Sequence, residues 1–284
     1  MAFPFDSRQL TAHVKQALTE DGAFNDITTI ATVLSNRRAR ATLVARAPGA
    51  IAGVPFALAA FRLLDSKVVI RVDADDGARV AGESSVLFVS GHARAMLSAE
   101  RVALNYLQRL SGIASLTAQY VDAVRGTRAR ILDTRKTIPG MRSLEKYAVR
   151  AGGGMNHRMD LSDAVLIKDN HLASVGGDVA LAVRRARKLA AEGTSIEVEC
   201  DREEQVRAAL DAGADILLLD NMSLEQLGRC AAMAAGRALT EASGGISLQT
   251  VRDVAETGVD WISIGALTHS APALDLALDF ESLA

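Results

Sequence analysis

IEVECDREEQVRAALDAGADILLLDN, residues 196 to 221, is the stretch from which the fold is read. An apolar run at Ile196 to Val198 gives way to helical spacing from Arg202 to Ala212. After a glycine turn a second apolar run follows at Ile216 to Leu219. Two short apolar runs joined by a helix predict a parallel βα unit, because parallel strands need a crossover where antiparallel ones need only a tight turn. Working outward, the alternation recurs. It predicts strands at Ile131-Leu132, Val165 to Ile167, Ala238 to Thr240 and Trp261 to Ile264, with helices at Asp178 to Ala191, Leu224 to Ala235 and Leu248 to Thr257. That makes six strands, fewer than the eight of a complete barrel.

Upstream the pattern differs. A helix is predicted from Ser7 to about Glu20, then a turn from Asp21 to Asp26. Ala39 to Ala47, Lys67 to Asp73 and Val86 to Gly91 read as strands of a small sheet-containing domain. Arg94 to Leu110 returns to helical spacing, and a second helix is expected from about Ile113 to Arg125, the break falling at Gly112. Domains are therefore expected at residues 1–112 and 113–271, with residues 272–284 packing back on the first.

The 284 residues are 49% hydrophobic and 23% charged, enough for a sizeable core in a soluble globular protein. No apolar run approaches the roughly 20 residues of a membrane span, and the first residues lack the order of a signal peptide. Cys200 and Cys230 are too few for a disulfide framework or a four-ligand zinc site, so a reducing compartment, the cytoplasm, is expected and both are assigned to packing. A net charge of −2 argues against nucleic acid or a membrane surface as partner. An anion site must be local, and Arg128 to Lys168 holds nine cationic residues against four acidic ones.

The chemistry is expected where parallel strands end, because their carboxyl ends converge on one mouth. There the sequence places Asp133-Thr134-Arg135-Lys136, Lys168, Glu199, Asp220, Glu241 with Ser243-Gly244-Gly245, and Gly265. Arg135, Arg158 and Lys168 suit carboxylates or phosphates, whereas Arg142, Lys146 and Arg150 are spaced like an exposed helix face. Glu199 and Asp220 could hold Mg²⁺, directly or through water, or accept from sugar hydroxyls. Glu197 is taken to point the other way along its strand and to be structural. Ser223 is the better helix cap than Asp220. Gly152-Gly153-Gly154, Ser243-Gly244-Gly245 and Gly265-Ala266 would let backbone N–H groups approach a phosphate. His157 beside Arg158 is either an anion donor or a loop histidine. His13, His92 and His171 have no constellation around them, and His269 reads as a cap.

Taken together, Asp133 to Gly140 (DTRKTIPG), Gly152 to Arg158 (GGGMNHR), Leu166 to His171 (LIKDNH), Glu197 to Glu199 (EVE), Asp220 to Met222 (DNM), Ala242 to Gly245 (ASGG) and Gly265 to Ser270 (GALTHS) resemble quinolinate phosphoribosyltransferase in order and spacing. The stretches Glu20 to Thr28 and Glu100 to Ala114 are similar as well. The resemblance implies a type II phosphoribosyltransferase fold: an N-terminal α/β sandwich domain plus an incomplete parallel α/β barrel. It implies a transferase that joins the phosphoribosyl group of phosphoribosyl pyrophosphate to quinolinate and releases carbon dioxide. A homodimer, or a hexamer built from it, goes with the family, with Arg101 reaching the partner's site. On the same footing Arg101, Arg135, His157, Arg158 and Lys168 would bind quinolinate, and Lys136 and Lys168 would lie near the phosphoribosyl donor. Thr134 lies in the first of these motifs and is counted with the substrate-binding residues. Glu199 and Asp220 would hold ribose hydroxyls and Mg²⁺, with Ser243 to Gly245 and Ile264 to Ala266 at the 5-phosphate. Lys136, Lys168, Glu199 and Asp220 would be the catalytic set. Ile138 replaces the family's usual threonine and Asn25 its glycine.

Two other enzyme classes and a bland reading stay open on the residues alone. Lys168 could form a Schiff base as in aldolases. A molybdenum-associated paralogue or a nicotinate-using salvage enzyme would act without decarboxylation, and a sugar-phosphate sensor would not react at all.

Overall fold

The computed structural model describes residues 3–281, which fall into two compact units. One comprises the chain up to Ala118, Ser143–Gly153 and the residues from Ser270 onward; the other comprises Gln119–Arg142 and Gly154–His269.

The first unit opens with the helix Ser7–Glu20, started by Asp6, whose side chain accepts from the Gln9 N–H while Gln9 answers in a capping box. A four-stranded antiparallel sheet follows, in the order β12 (Leu276–Phe280), β1 (Arg38–Ala45), β5 (Ser84–His92), β3 (Val69–Val72), with a separate pair β2 (Gly49–Ala50) and β4 (Arg79–Val80). Along β1 the inward positions Ala39, Ala41, Leu43 and Ala45 are buried, as a sheet packed on one face requires. The late strand β12 pairs with β1 from Ala41 opposite Phe280 to Ala45 opposite Leu276. Phe56 stacks on Tyr106 at 4.7 Å with His13 against both rings, and His92 Nδ1 lies 2.8 Å from Asp65.

Two expectations fail here. The helix does not break at Gly112 but runs unbroken as Ala93–Ala123. A Cβ at Gly112 would lie 2.0 Å from the Pro272 carbonyl oxygen, so the glycine serves a close backbone approach and not a turn. Lys146 does not lie on an exposed face: it is 1% exposed, in a helix, Arg142–Ala151, that buries Leu144 to Val149 without interruption. Glu145 of this helix is also buried and receives Arg109 Nη2 at 2.5 Å.

The second unit holds six parallel strands, β6 (Arg130–Leu132), β7 (Val165–Ile167), β8 (Ile196–Cys200), β9 (Ile216–Asp220), β10 (Leu239–Ser243) and β11 (Trp261–Ser263). Their order is β6-β11-β10-β9-β8-β7, so first and last strands pair while β6 and β7 do not. This is an incomplete barrel with its seam between β6 and β7. Met155 bridges onto that seam, its N–H donating to the Ile131 carbonyl and its carbonyl accepting from the Asp133 N–H. Between strands lie the helices Val179–Leu189, Glu203–Asp211, Leu224–Ala234 and Val251–Glu256, the third opened by the predicted cap Ser223. Among the described residues no helix is long and apolar enough to cross a membrane.

Candidate active site

All six strands point their carboxyl ends at one mouth, where the second unit encloses a cavity of about 840 Å³. The loop after β6 supplies Thr134, Arg135 and Lys136, and the seam loop supplies His157 and Arg158. Lys168 follows β7, while Glu199 and Asp220 sit near the ends of β8 and β9. Ser243, Gly244 and Gly245 come from the end of β10, and Ile264, Gly265 and Ala266 from the end of β11. Arg101 is exposed on the long helix of the first unit.

One wall is cationic. Burial, and then the charge of Arg135, lower the pKa of Arg158, so the two guanidiniums face the same space and repel each other. Such a pair is relieved by an anion placed between them. Asp133 fixes this wall from behind: it is fully buried and accepts the His157 N–H at 2.9 Å and Asn156 Nδ2 at 2.5 Å. The cavity also has acidic groups, with Lys168 Nζ 3.3 Å from Glu199 and Asp220 accepting Asn221 Nδ2 at 2.7 Å. Two glycines lie close to cavity side chains, and the first is sterically required. At Gly244, φ is +97° and a Cβ would lie 2.2 Å from Asn221 Oδ1; at Gly265 a Cβ would strike Lys136 Cδ at 2.9 Å.

Sequence profiles of two domains match nearly end to end: "Quinolinate phosphoribosyl transferase, N-terminal domain" over residues 26–111 and the C-terminal domain of the same name over residues 113–279. The chain belongs to the quinolinate phosphoribosyltransferase family. It is 46% identical over 283 residues to the nicotinate-nucleotide pyrophosphorylase [carboxylating] of Mycobacterium leprae, covering 97% of this chain and 98% of that one. A probable enzyme of the same name from Bacillus subtilis is 41% identical over 271 residues, covering 95% and 93%. Among solved structures, that of NadC from Streptococcus pyogenes superposes with a TM-score of 0.93 at 41% identity, covering 99% of each chain.

Within this quinolinate phosphoribosyltransferase fold the strands run further than their apolar runs suggest. Glu199, Asp220 and Glu241 lie inside β8, β9 and β10 and not beyond them. Glu197 is a correction: residues two apart on a strand share a face, so it points inward like Glu199, and its Oε2 meets His157 Nε2 at 3.1 Å. Glu241 Oε2 lies 3.5 Å from the same nitrogen. Its carboxyl is pushed up to about 7, first by burial and then by the charge of Glu197. His171 is also more than surface, since its Nδ1 accepts the Lys168 N–H at 2.9 Å and braces that loop. His269 and Asn221 line the cavity as well. Asn221 could have been suspected from the sequence, because an asparagine that directly ends a strand tolerates the left-handed backbone found there, φ +54°. Cys200 is buried with its thiol pushed up to about 12 by burial and then Cys230, as suits a packing residue.

Proposed function

We propose that the chain transfers the phosphoribosyl group of phosphoribosyl pyrophosphate to the ring nitrogen of quinolinate, with loss of pyrophosphate and carbon dioxide, to give nicotinate mononucleotide for de novo NAD synthesis. The observation that carries this reading is the pair Arg135 and Arg158 lining one cavity together with Glu199 and Asp220. A dicarboxylate matches the first and a ribose with its pyrophosphate the second. The full-length relatives named for this activity support the same reading.

The chain's own groups would act mainly by placement and charge. Arg135, Arg158 and Lys168 hold the two carboxylates, guanidinium forks giving bidentate contacts and Lys168 a point charge. Lys136, close to Gly265, would offset the charge that develops as pyrophosphate departs. Backbone N–H groups of Ser243 to Gly245 and Gly265 to Ala266 would take the 5-phosphate. Glu199 and Asp220 offer the hard oxygen donors that Mg²⁺ prefers, so they fit that ion directly or through water. When bound, it would offset negative charge on the pyrophosphate. The ring cation formed by nitrogen attack then draws electrons from the adjacent carboxyl and releases it. Bringing two anions together in this way needs no nucleophile from the protein, and proximity is the main gain.

We further propose a homodimer in which Arg101 of each protomer completes the other's site, and a cytoplasmic setting that keeps both buried thiols reduced. Incubation with quinolinate, phosphoribosyl pyrophosphate and Mg²⁺, with nicotinate in parallel, tests the activity. Nicotinate mononucleotide and carbon dioxide from quinolinate are expected; nucleotide from nicotinate alone would overturn it.

A further inference from the structure

Beneath the cationic wall lies a buried cluster that the assignment above leaves without a task. Glu241 is fully buried yet lines the cavity, and neither of its oxygens accepts a hydrogen bond of good geometry. Glu197 leaves one oxygen, Oε1, in the same condition. Between them stands His157, whose Nδ1 accepts the Arg158 N–H at 2.7 Å. Its Nε2 faces both carboxylates, 3.1 Å from Glu197 Oε2 and 3.5 Å from Glu241 Oε2. Two ionised carboxylates would place two negative charges out of water around one ring. One proton on Glu241 removes half of that charge and supplies a donor.

The proposed reaction needs just such a proton, and this inference rests on that reading. When carbon dioxide leaves, the bond between C2 and its carboxyl breaks and the electron pair stays on C2. We propose that Glu241, as the neutral acid, completes nicotinate mononucleotide: its O–H bond breaks, a C2–H bond forms, and the carboxylate left behind is reprotonated from water when product departs. Until C2 is protonated it can recapture carbon dioxide, so the acid makes the loss irreversible. The groups facing Glu241 keep it protonated near neutrality. Glu197 on β8 and Asp133 after β6 push its pKa up together with burial, while His157 and Ser263 pull it down.

The test is a single-turnover quench of the full-length protein with quinolinate, phosphoribosyl pyrophosphate and Mg²⁺, following pyrophosphate and carbon dioxide separately. In Glu241→Gln the rate of carbon dioxide release relative to pyrophosphate release should fall about a hundredfold, the usual worth of a general acid. Equal slowing of both, or an unchanged ratio, would overturn the proposal. If that variant fails to fold, the unaltered protein decides: the same ratio should drop as pH rises through about 7, and a ratio independent of pH would overturn it. Unaltered protein that releases no pyrophosphate from quinolinate at all would instead sink the assignment of the reaction.

Discussion

At the scale of single residues, charge placement decides most. Arg158 donates Nη1 to the Ala164 carbonyl at 3.0 Å, which aims the rest of its guanidinium at the cavity beside Arg135. Arg158→Gln should raise KM for quinolinate about tenfold to a hundredfold, the cost of a lost charged hydrogen bond, and leave KM for phosphoribosyl pyrophosphate nearly unchanged. Initial-rate measurements in each substrate separate the two. Glu241 gives a second expectation through linkage. Its folded pKa of about 7 lies above its ordinary 4.5, so the folded state holds the proton longer than the unfolded chain. Its contribution to stability is full below about 4.5 and is lost as pH rises to about 7. Glu241→Gln should therefore gain on the parent protein between pH 5 and 8, as urea midpoints would reveal. Glu197 and Glu241 were both visible in the sequence, but not that they meet around His157. A buried carboxylate inside a strand carries no local signal of the side chains it meets across the sheet.

At the scale of elements, caps and close approaches matter more than propensity. Asp26 opens the helix Ile27–Thr32 by accepting the Thr29 N–H at 3.0 Å and also receives Ser98 Oγ at 3.0 Å. Asn25 is exposed beside it and leaves this cap in place. Asp26→Ala should cost about 1 kcal/mol, read as a lower Tm. Gly112→Ala tests a sign. In an ordinary helix interior the change would stabilise by up to about 1 kcal/mol, but the Cβ would collide with the Pro272 carbonyl, so a lower Tm is expected. The long helix was legible at both ends from its apolar spacing. Its continuity was not, because a glycine that lets backbones touch looks in sequence like one that breaks a helix. Strand ends were misread for a related reason: β8, β9 and β10 continue into acidic residues that face a wet interior, where alternation of polarity stops marking the strand.

At the scale of the whole molecule, the succession of βα units was the most legible feature, since each strand and helix is local in sequence. The order of strands was less so. That β6 pairs with β11 and leaves a seam toward β7 is a long-range choice. So is the return of β12 to β1, which buries Leu276 and Leu278 and covers one edge of the first sheet. Removing the residues from 272 onward should bare that edge, and size-exclusion chromatography should then find aggregates in place of a discrete species. The same pairing sets a timetable for synthesis. β1 leaves the ribosome early and β12 late, with every strand of the second unit in between. At typical elongation rates β1 waits about 10 to 50 s for its neighbour. A nascent or clipped chain is thus distinguishable from a finished one by an open edge, the kind of surface that chaperones hold and that like chains join.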